Sequence, residues 1–381
     1  MQDSPIHCMT RRSMLTGGVT ALTACCLPRL LTGQSEPMQS PNVDALVRAY
    51  MKRYCVPGMS ISIRRGALAL YTGNFGNANR DTHEDVHSSS LFRIASNSKA
   101  FTSVAILVLA ERGKLTLQDR VFAPDGIFPQ YAKIGAQRDW LHAITIHDLL
   151  THTTGGWANE RNDPMFEQPD MAQEQLIAWT IATFPLQNPP GQKYSYSNFG
   201  YCILGRVIEH VAGEPYEGFV KQNVMNPIGI EDMLSATQKP ALHEVHYYGQ
   251  GREDPYNIPI TRMDSHGGWI STAGDMSLFL AALFSPRDHV GCKPILSTAS
   301  LSTMTQGTKA NPGYACGLAV NQAGNAWHAG SLPGTMSLMV HTNTGLSWSA
   351  ALNTRSTDPQ AATDLDSMLW TVAHRVPTWH A

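Results

Sequence analysis

The sequence has little charge and very little lysine. Only 15% of its 381 residues are Asp, Glu, Lys or Arg, the formal net charge is −2, and just nine are lysines. No basic cluster stands out, so no nucleic-acid partner is expected. After the first thirty residues no apolar run is long enough to cross a bilayer. The seven cysteines (8, 25, 26, 55, 202, 292 and 316) include no C-x-x-C pair and no metal-ligand spacing. Beyond the N-terminal region four remain, widely separated; they permit one disulfide without choosing it, and buried free thiols are the expectation. His142, His147 and His152 are five apart and share no helical face, and His243 and His246 lack evident further ligands. No metal or other cofactor is expected. The chain also lacks a Gly-x-Ser-x-Gly elbow, internal repeats and low-complexity tracts.

At the N-terminus, Arg11 and Arg12 precede the apolar run MLTGGVTALTA. Paired arginines before so short an apolar stretch resemble a twin-arginine export signal. The run ends in LTAC, which resembles a lipoprotein processing box with Cys25 as the lipidated residue. Residues 1–24 are therefore read as an export signal and 25–41 as a tether. This predicts an exported protein, periplasmic or membrane-anchored, that meets the membrane only through a lipid.

Val43, Leu46, Val47, Tyr50 and Met51 recur at helical spacing. Met59, Ile61 and Ile63 then alternate with serines before a turn near Gly66, which reads as a hairpin. A helix is predicted from about Ser96 to Gly113, and helical patches separated by long loops from about 115 to 265. MSLMVHT and LSWSAAL flank Asn343-Thr344-Gly345 as a second hairpin. A last helix follows, with Asp358 at its N-cap and Pro359 in its first turn. Elements from both chain ends thus predict an α+β fold: one antiparallel sheet flanked by N- and C-terminal helices, with a helical region inserted. The expected boundaries are 42–375 for the whole domain, about 42–114 and 266–375 for the sheet part, and 115–265 for the helical part.

Lys99 is the one lysine preceded three residues earlier by a serine, Ser96. At a helix start the two share a face, unpaired backbone N–H groups point outward, and the helix dipole adds positive potential. That environment favours an oxyanion and a neutral, proton-accepting lysine, which a serine nucleophile needs. Tyr196-Ser197-Asn198 is the only Tyr-x-Asn in the chain. A tyrosine beside an ammonium can serve as general base or acid, and the asparagine can orient a substrate amide. Of three His-x-Gly occurrences, at His266, His289 and His328, only His328 is placed to open a strand, where Gly330 leaves an edge free for substrate. His152 reads as a packed, hydrogen-bonded residue.

The segments FRIASNSK, HDLLTHTTGG, PPGQKYSYSNFGYCILG, NPIGI, HGGWISTAGDMSLFL and WHAGSLPG follow one another over about residues 42–375. Together they resemble the serine β-lactamase and penicillin-binding superfamily, in its class C-like branch of β-lactamases, D-alanyl-D-alanine carboxypeptidases and esterases. The resemblance implies Ser96 as acylated nucleophile, Lys99 as its proton partner and Tyr196 as the base that returns the proton. It implies Asn198, His328 and Gly330 at the substrate, and an oxyanion hole from the backbone N–H groups of Ser96 and Ser331. The expected function is serine hydrolysis through an acyl-enzyme, on a carboxylic ester, a small amide or a peptidoglycan-type D-amino acid peptide. Principal β-lactamase activity and a penicillin- or muropeptide-binding sensor that acylates without turnover are the alternatives. The third motif reads His-Ala-Gly where dedicated β-lactamases carry a Lys-Thr-Gly type. Histidine is mostly neutral at pH 7 and alanine lacks a hydroxyl, so binding of a substrate carboxylate is weakened.

Overall fold

The computed structural model describes residues 41–285 and 294–375. The arginine pair, Cys25, the tether up to residue 40, His289 and Cys292 lie outside the described residues.

An antiparallel seven-stranded sheet joins the two ends of the chain. Strand β1 (Gly58–Arg65) pairs with β2 (Leu68–Asn79), which pairs with the short β3 (Glu84–Asp85). On its other edge β1 meets β10 (Leu346–Leu352), with Met59 opposite Leu352. From β10 the sheet continues through β9 (Thr335–His341) and β8 (Ala326–Leu332) to β7 (Ala319–Val320). Asn353 fastens this junction: Gly58 N–H donates to its Oδ1 at 2.7 Å, and its Nδ2 donates to the carbonyls of Asn77 and His246 at 3.0 Å.

Both faces of the sheet are covered. Met59, Ile61, Ile63, Trp348 and Leu352 pack against the helices Pro41–Arg53 and Ala361–Arg375. Trp348 is fully buried and meets Trp370 edge-on at 4.7 Å; burying a large apolar side chain contributes roughly 2–3 kcal/mol. The serine face of β1, the polar face of the predicted hairpin, is buried as well. Ser62 bonds Ser277 at 2.8 Å and Ser349 donates to the Ala273 carbonyl at 2.5 Å. These small residues let the helix Ala273–Phe284 approach the sheet closely.

The helix Ser98–Glu111 is buried at every position from Ser98 to Leu109, which explains an apolar run without a polar stripe. Its Phe101 stacks on Phe279 at 3.9 Å. A second, three-stranded sheet, absent from the sequence reading, has the order β4 (Phe92–Arg93), β6 (Trp269–Ser271), β5 (Leu234–Ser235). It sets the residues just before Ser96 beside those just after His266.

Three local readings are corrected. The last helix begins at Ala361 rather than at Pro359, because Asp358 caps a separate turn by accepting from Gln360 N–H at 2.8 Å. Strand β8 starts at Ala326, so His328 lies inside it rather than opening it. Cys202 and Cys316 are buried free thiols, whereas Cys55 is free and exposed.

Candidate active site

Ser96 sits in the single turn Ala95–Asn97 that leads into the Ser98–Glu111 helix. Ala95 before it has φ +48°, a left-handed conformation costly for a residue with a Cβ. The surroundings hold it there. Ile94 N–H donates to the Trp269 carbonyl at 3.0 Å, Ser337 Oγ donates to the Ile94 carbonyl at 2.7 Å, and Asn97 Nδ2 donates to Ser337 Oγ at 2.8 Å. Gly330 in β8 makes the approach possible: a Cβ there would lie 2.0 Å from the Ile94 oxygen. The serine turn therefore rests directly on the backbone of β8, with Ser331 next along the strand and exposed. The strand ladder between β7 and β8 reaches only Trp327, so β7 does not cover the edge of β8 at Ala329–Ser331.

Lys99 is fully buried, and its ammonium nitrogen lies 3.0 Å from Ser96 Oγ, 2.7 Å from Asn198 Oδ1 and 2.8 Å from the His266 carbonyl. Asn198 is oriented by its other end, since its Nδ2 donates to Asp163 Oδ2 at 2.6 Å. Two of the three partners of Lys99 are therefore pure acceptors and take N–H bonds whatever its charge. The third direction, toward Ser96, holds a lone pair when the amine is neutral. Burial pushes the Lys99 pKa down from 10.5 to about 7, against the opposing pull of Asp163. A base of that strength, aimed at a serine hydroxyl, suits proton abstraction near neutral pH.

The Tyr196 ring lies beside the amine, with Lys99 Nζ 4.9 Å from its centroid. His152 grips the chain on both sides of that tyrosine. Ser195 N–H donates to the His152 carbonyl at 2.8 Å, and Ser197 N–H to His152 Nδ1 at 3.1 Å. Ser197 then caps the helix Asn198–Ala212 by accepting from Gly200 N–H. The segment bearing Asp163 is latched to the same place: Asn159 N–H donates to the Tyr196 carbonyl and Asn159 Oδ1 accepts from Asn198 N–H.

Ser96, Lys99, Tyr196 and Asn198 thus gather beside the β8 edge that bears Gly330 and Ser331. Two expected substrate ligands differ in how they are presented. The Asn198 amide is engaged at both ends, by Lys99 and Asp163. The His328 ring is buried, with Nδ1 2.7 Å from the Ala329 carbonyl and Nε2 3.1 Å from the Tyr314 hydroxyl. Its pKa falls to about 3, through burial first and the nearby Lys99 second. Sequence reasoning missed Asp163, Tyr314 and the His266 carbonyl. Asp163-Pro164 is a recognisable helix start, but nothing local ties it to Lys99, and a carbonyl leaves no trace in residue type.

A serine on a strained turn thus faces a buried amine able to shed its proton, beside a sheet edge. The Beta-lactamase family model matches residues 43–371, and the chain belongs to that family. Among curated proteins it is similar to Protein flp of Staphylococcus aureus (strain MW2), 24% identical over 298 residues that make up 76% of this chain. The aligned region spans 58% of that relative's length. Among solved structures, the octameric penicillin-binding protein homologue from Pyrococcus abyssi gives a TM-score of 0.70 at 23% identity, over 88% of this chain and 78% of that one. The D-amino acid amidase from Ochrobactrum anthropi SV3 gives 0.70 at 21% identity, over 86% and 99%. At these identities the two structures show the fold.

Proposed function

We propose that the protein hydrolyses a carboxylic ester, a small amide or a D-amino acid peptide through an acyl-enzyme on Ser96. The observation that carries this reading is the polarity of the bonds around Lys99: two fixed acceptors and one direction left for Ser96. Ser96 Oγ attacks the substrate carbonyl carbon as its proton passes to the Lys99 amine, and the carbonyl oxygen becomes an oxyanion. The backbone N–H groups of Ser96 and Ser331 are the proposed donors to it. The bond to the leaving group then breaks, and the leaving oxygen or nitrogen takes the proton, with Tyr196 as the proposed conduit. Water attacks the resulting ester, releases the acid and restores the Ser96 hydroxyl. The amidase and penicillin-binding neighbours fit acyl chemistry at a carbonyl but do not choose among these substrates.

Incubation with a p-nitrophenyl short-chain ester, a D-alanyl-D-alanine peptide and a chromogenic cephalosporin, followed by intact mass, tests the proposal. Many turnovers on the ester or the peptide, lost in Ser96→Ala, are expected. A persistent adduct on Ser96 without turnover would identify a sensor instead, and full activity in Ser96→Ala would end the assignment. Export and lipid anchoring through Cys25 are a separate proposal: Cys25→Ser should release the protein from membranes, and unchanged fractionation would refute it.

A further inference from the structure

A hydrogen-bonded chain runs from the Tyr196 segment to strand β8. Ser197 N–H donates to His152 Nδ1 at 3.1 Å, and His152 Nε2 lies 3.2 Å from the Tyr314 hydroxyl. That hydroxyl lies 3.1 Å from His328 Nε2, and His328 Nδ1 lies 2.7 Å from the Ala329 carbonyl. The two ends fix its direction. A backbone N–H only donates, so His152 Nδ1 accepts and the His152 proton sits on Nε2. A carbonyl only accepts, so His328 carries its proton on Nδ1 and receives at Nε2. Tyr314 has one proton: it accepts from His152 and donates to His328. A second proton on His152 would face the Ser197 N–H, and one on His328 would reverse its bond with Tyr314 and displace the Tyr314 proton from its acceptor.

The surroundings oppose that second proton too. The His152 ring faces Tyr194, Tyr196, Tyr201 and Tyr314, and the His328 ring faces Tyr196 and Tyr314. Lys99 disfavours added positive charge on both, and each imidazole pKa is lowered by burial first. Another cation at this edge, Arg355, reaches Ser331 Oγ at 3.4 Å, but its Nε is paired with Glu253 at 2.8 Å.

We propose that Tyr314 determines specificity: by holding His152 and His328 as opposite neutral tautomers, it gives the β8 edge beside Ser96 a wall without a net cation, suited to esters and amides whose leaving side bears no carboxylate. The proposal rests on the acyl-enzyme reading above and narrows its substrate class. Tyr314 acts through His328 and the strand, as a positioning residue rather than a catalytic one.

The test compares N-acetyl-D-alanyl-D-lactate with its D-lactamide, two esters that differ only in a carboxylate on the leaving side. In the wild-type protein kcat/KM should favour the lactamide by at least about tenfold; Tyr314→Phe, which removes the donor to His328 Nε2, should change that ratio by more than about threefold, and an unchanged ratio overturns the role given to Tyr314. Long-range imidazole ¹⁵N spectra need no variant for the tautomers themselves, with His152→Gln and His328→Gln serving only for assignment. They should show His152 as the Nε2–H form and His328 as the Nδ1–H form, neither titrating from about pH 5 to about pH 8. Equal or faster hydrolysis of the lactate by the wild type overturns the proposal, as does a His328 titration midpoint above about pH 6. Failure on both depsipeptides by protein that still turns over p-nitrophenyl acetate through Ser96 overturns it as well. If Ser96 is never acylated by any ester, the acyl-enzyme reading fails first, and the spectra still judge the chain of rings.

Discussion

The two walls of the site bury their bases in different ways. On one wall, Lys99 is enclosed by Asn198 Oδ1, the His266 carbonyl and Ser96 Oγ. On the other, His328 is enclosed by the Ala329 carbonyl and the Tyr314 hydroxyl. Burial lowers both pKa values, to about 7 and about 3. The difference lies in the partners. Those of Lys99 leave one direction that alternates between proton and lone pair, and it points at the serine. Those of His328 use the one proton and the one lone pair that the ring has. Burial depth alone does not make a base reactive; the polarity of its fixed neighbours decides whether a proton has anywhere to go.

The largest expected effect comes from removing the first wall's base. Lys99→Met should lower kcat by about 10³–10⁵ and slow Ser96 acylation equally, as read by rapid-quench intact mass. Retention of more than about a tenth of the activity would show that the two walls are not chemically different. Next, Gly330→Ala forces a methyl into the Ile94 carbonyl and separates the serine turn from β8. A loss of about 10²–10³ in kcat is expected, with a smaller change in KM.

The pH dependence sharpens the same contrast. Activity should rise through about pH 7 as Lys99 loses its proton, with no second limb from His328. Stability follows in sign: between the folded pKa near 7 and the unfolded value of 10.5 the unfolded chain binds the additional proton, so the Lys99 contribution to stability rises with pH. Below that window both states are protonated and the burial penalty is fully present. Differential scanning calorimetry of wild type against Lys99→Met isolates this slope, which the variant should lack. The smallest effect is expected away from both walls. Thr272 caps its helix by accepting from Asp275 N–H at 3.0 Å, so Thr272→Ala should cost about 1 kcal/mol in chemical denaturation and leave kcat unchanged.

Period and punctuation made the sheet at both chain ends legible. The alternation of Met59, Ile61 and Ile63 and the Asn343–Gly345 turn each fix a hairpin locally. The small sheet of β4, β6 and β5 was not legible, because strands of two or three residues carry no period. At the site, Ser96 and Lys99 announce themselves through adjacency on one helical turn. Asp163 and Tyr314 act across long sequence separations, Asp163 on Asn198 and Tyr314 on His152, and nothing in their neighbouring letters names those partners. Alternation in β1 reports polarity rather than exposure, so the serine face is not legible as interior; the helix over it makes it so.

The pairing of β1 with β10 also orders events in time. Gly58 finds its partner only when Asn353 is available, and closing so long a segment is entropically slow compared with forming either hairpin. Strands β8 and β9, which carry Gly330 and the Ser337 that anchors the serine turn, reach β1 only through β10. A growing chain that has emerged as far as the Ser98–Glu111 helix already contains its nucleophile, yet it lacks the strand against which that nucleophile is cocked. Reactivity toward carbonyl compounds should therefore appear late in synthesis, after the final hairpin has emerged.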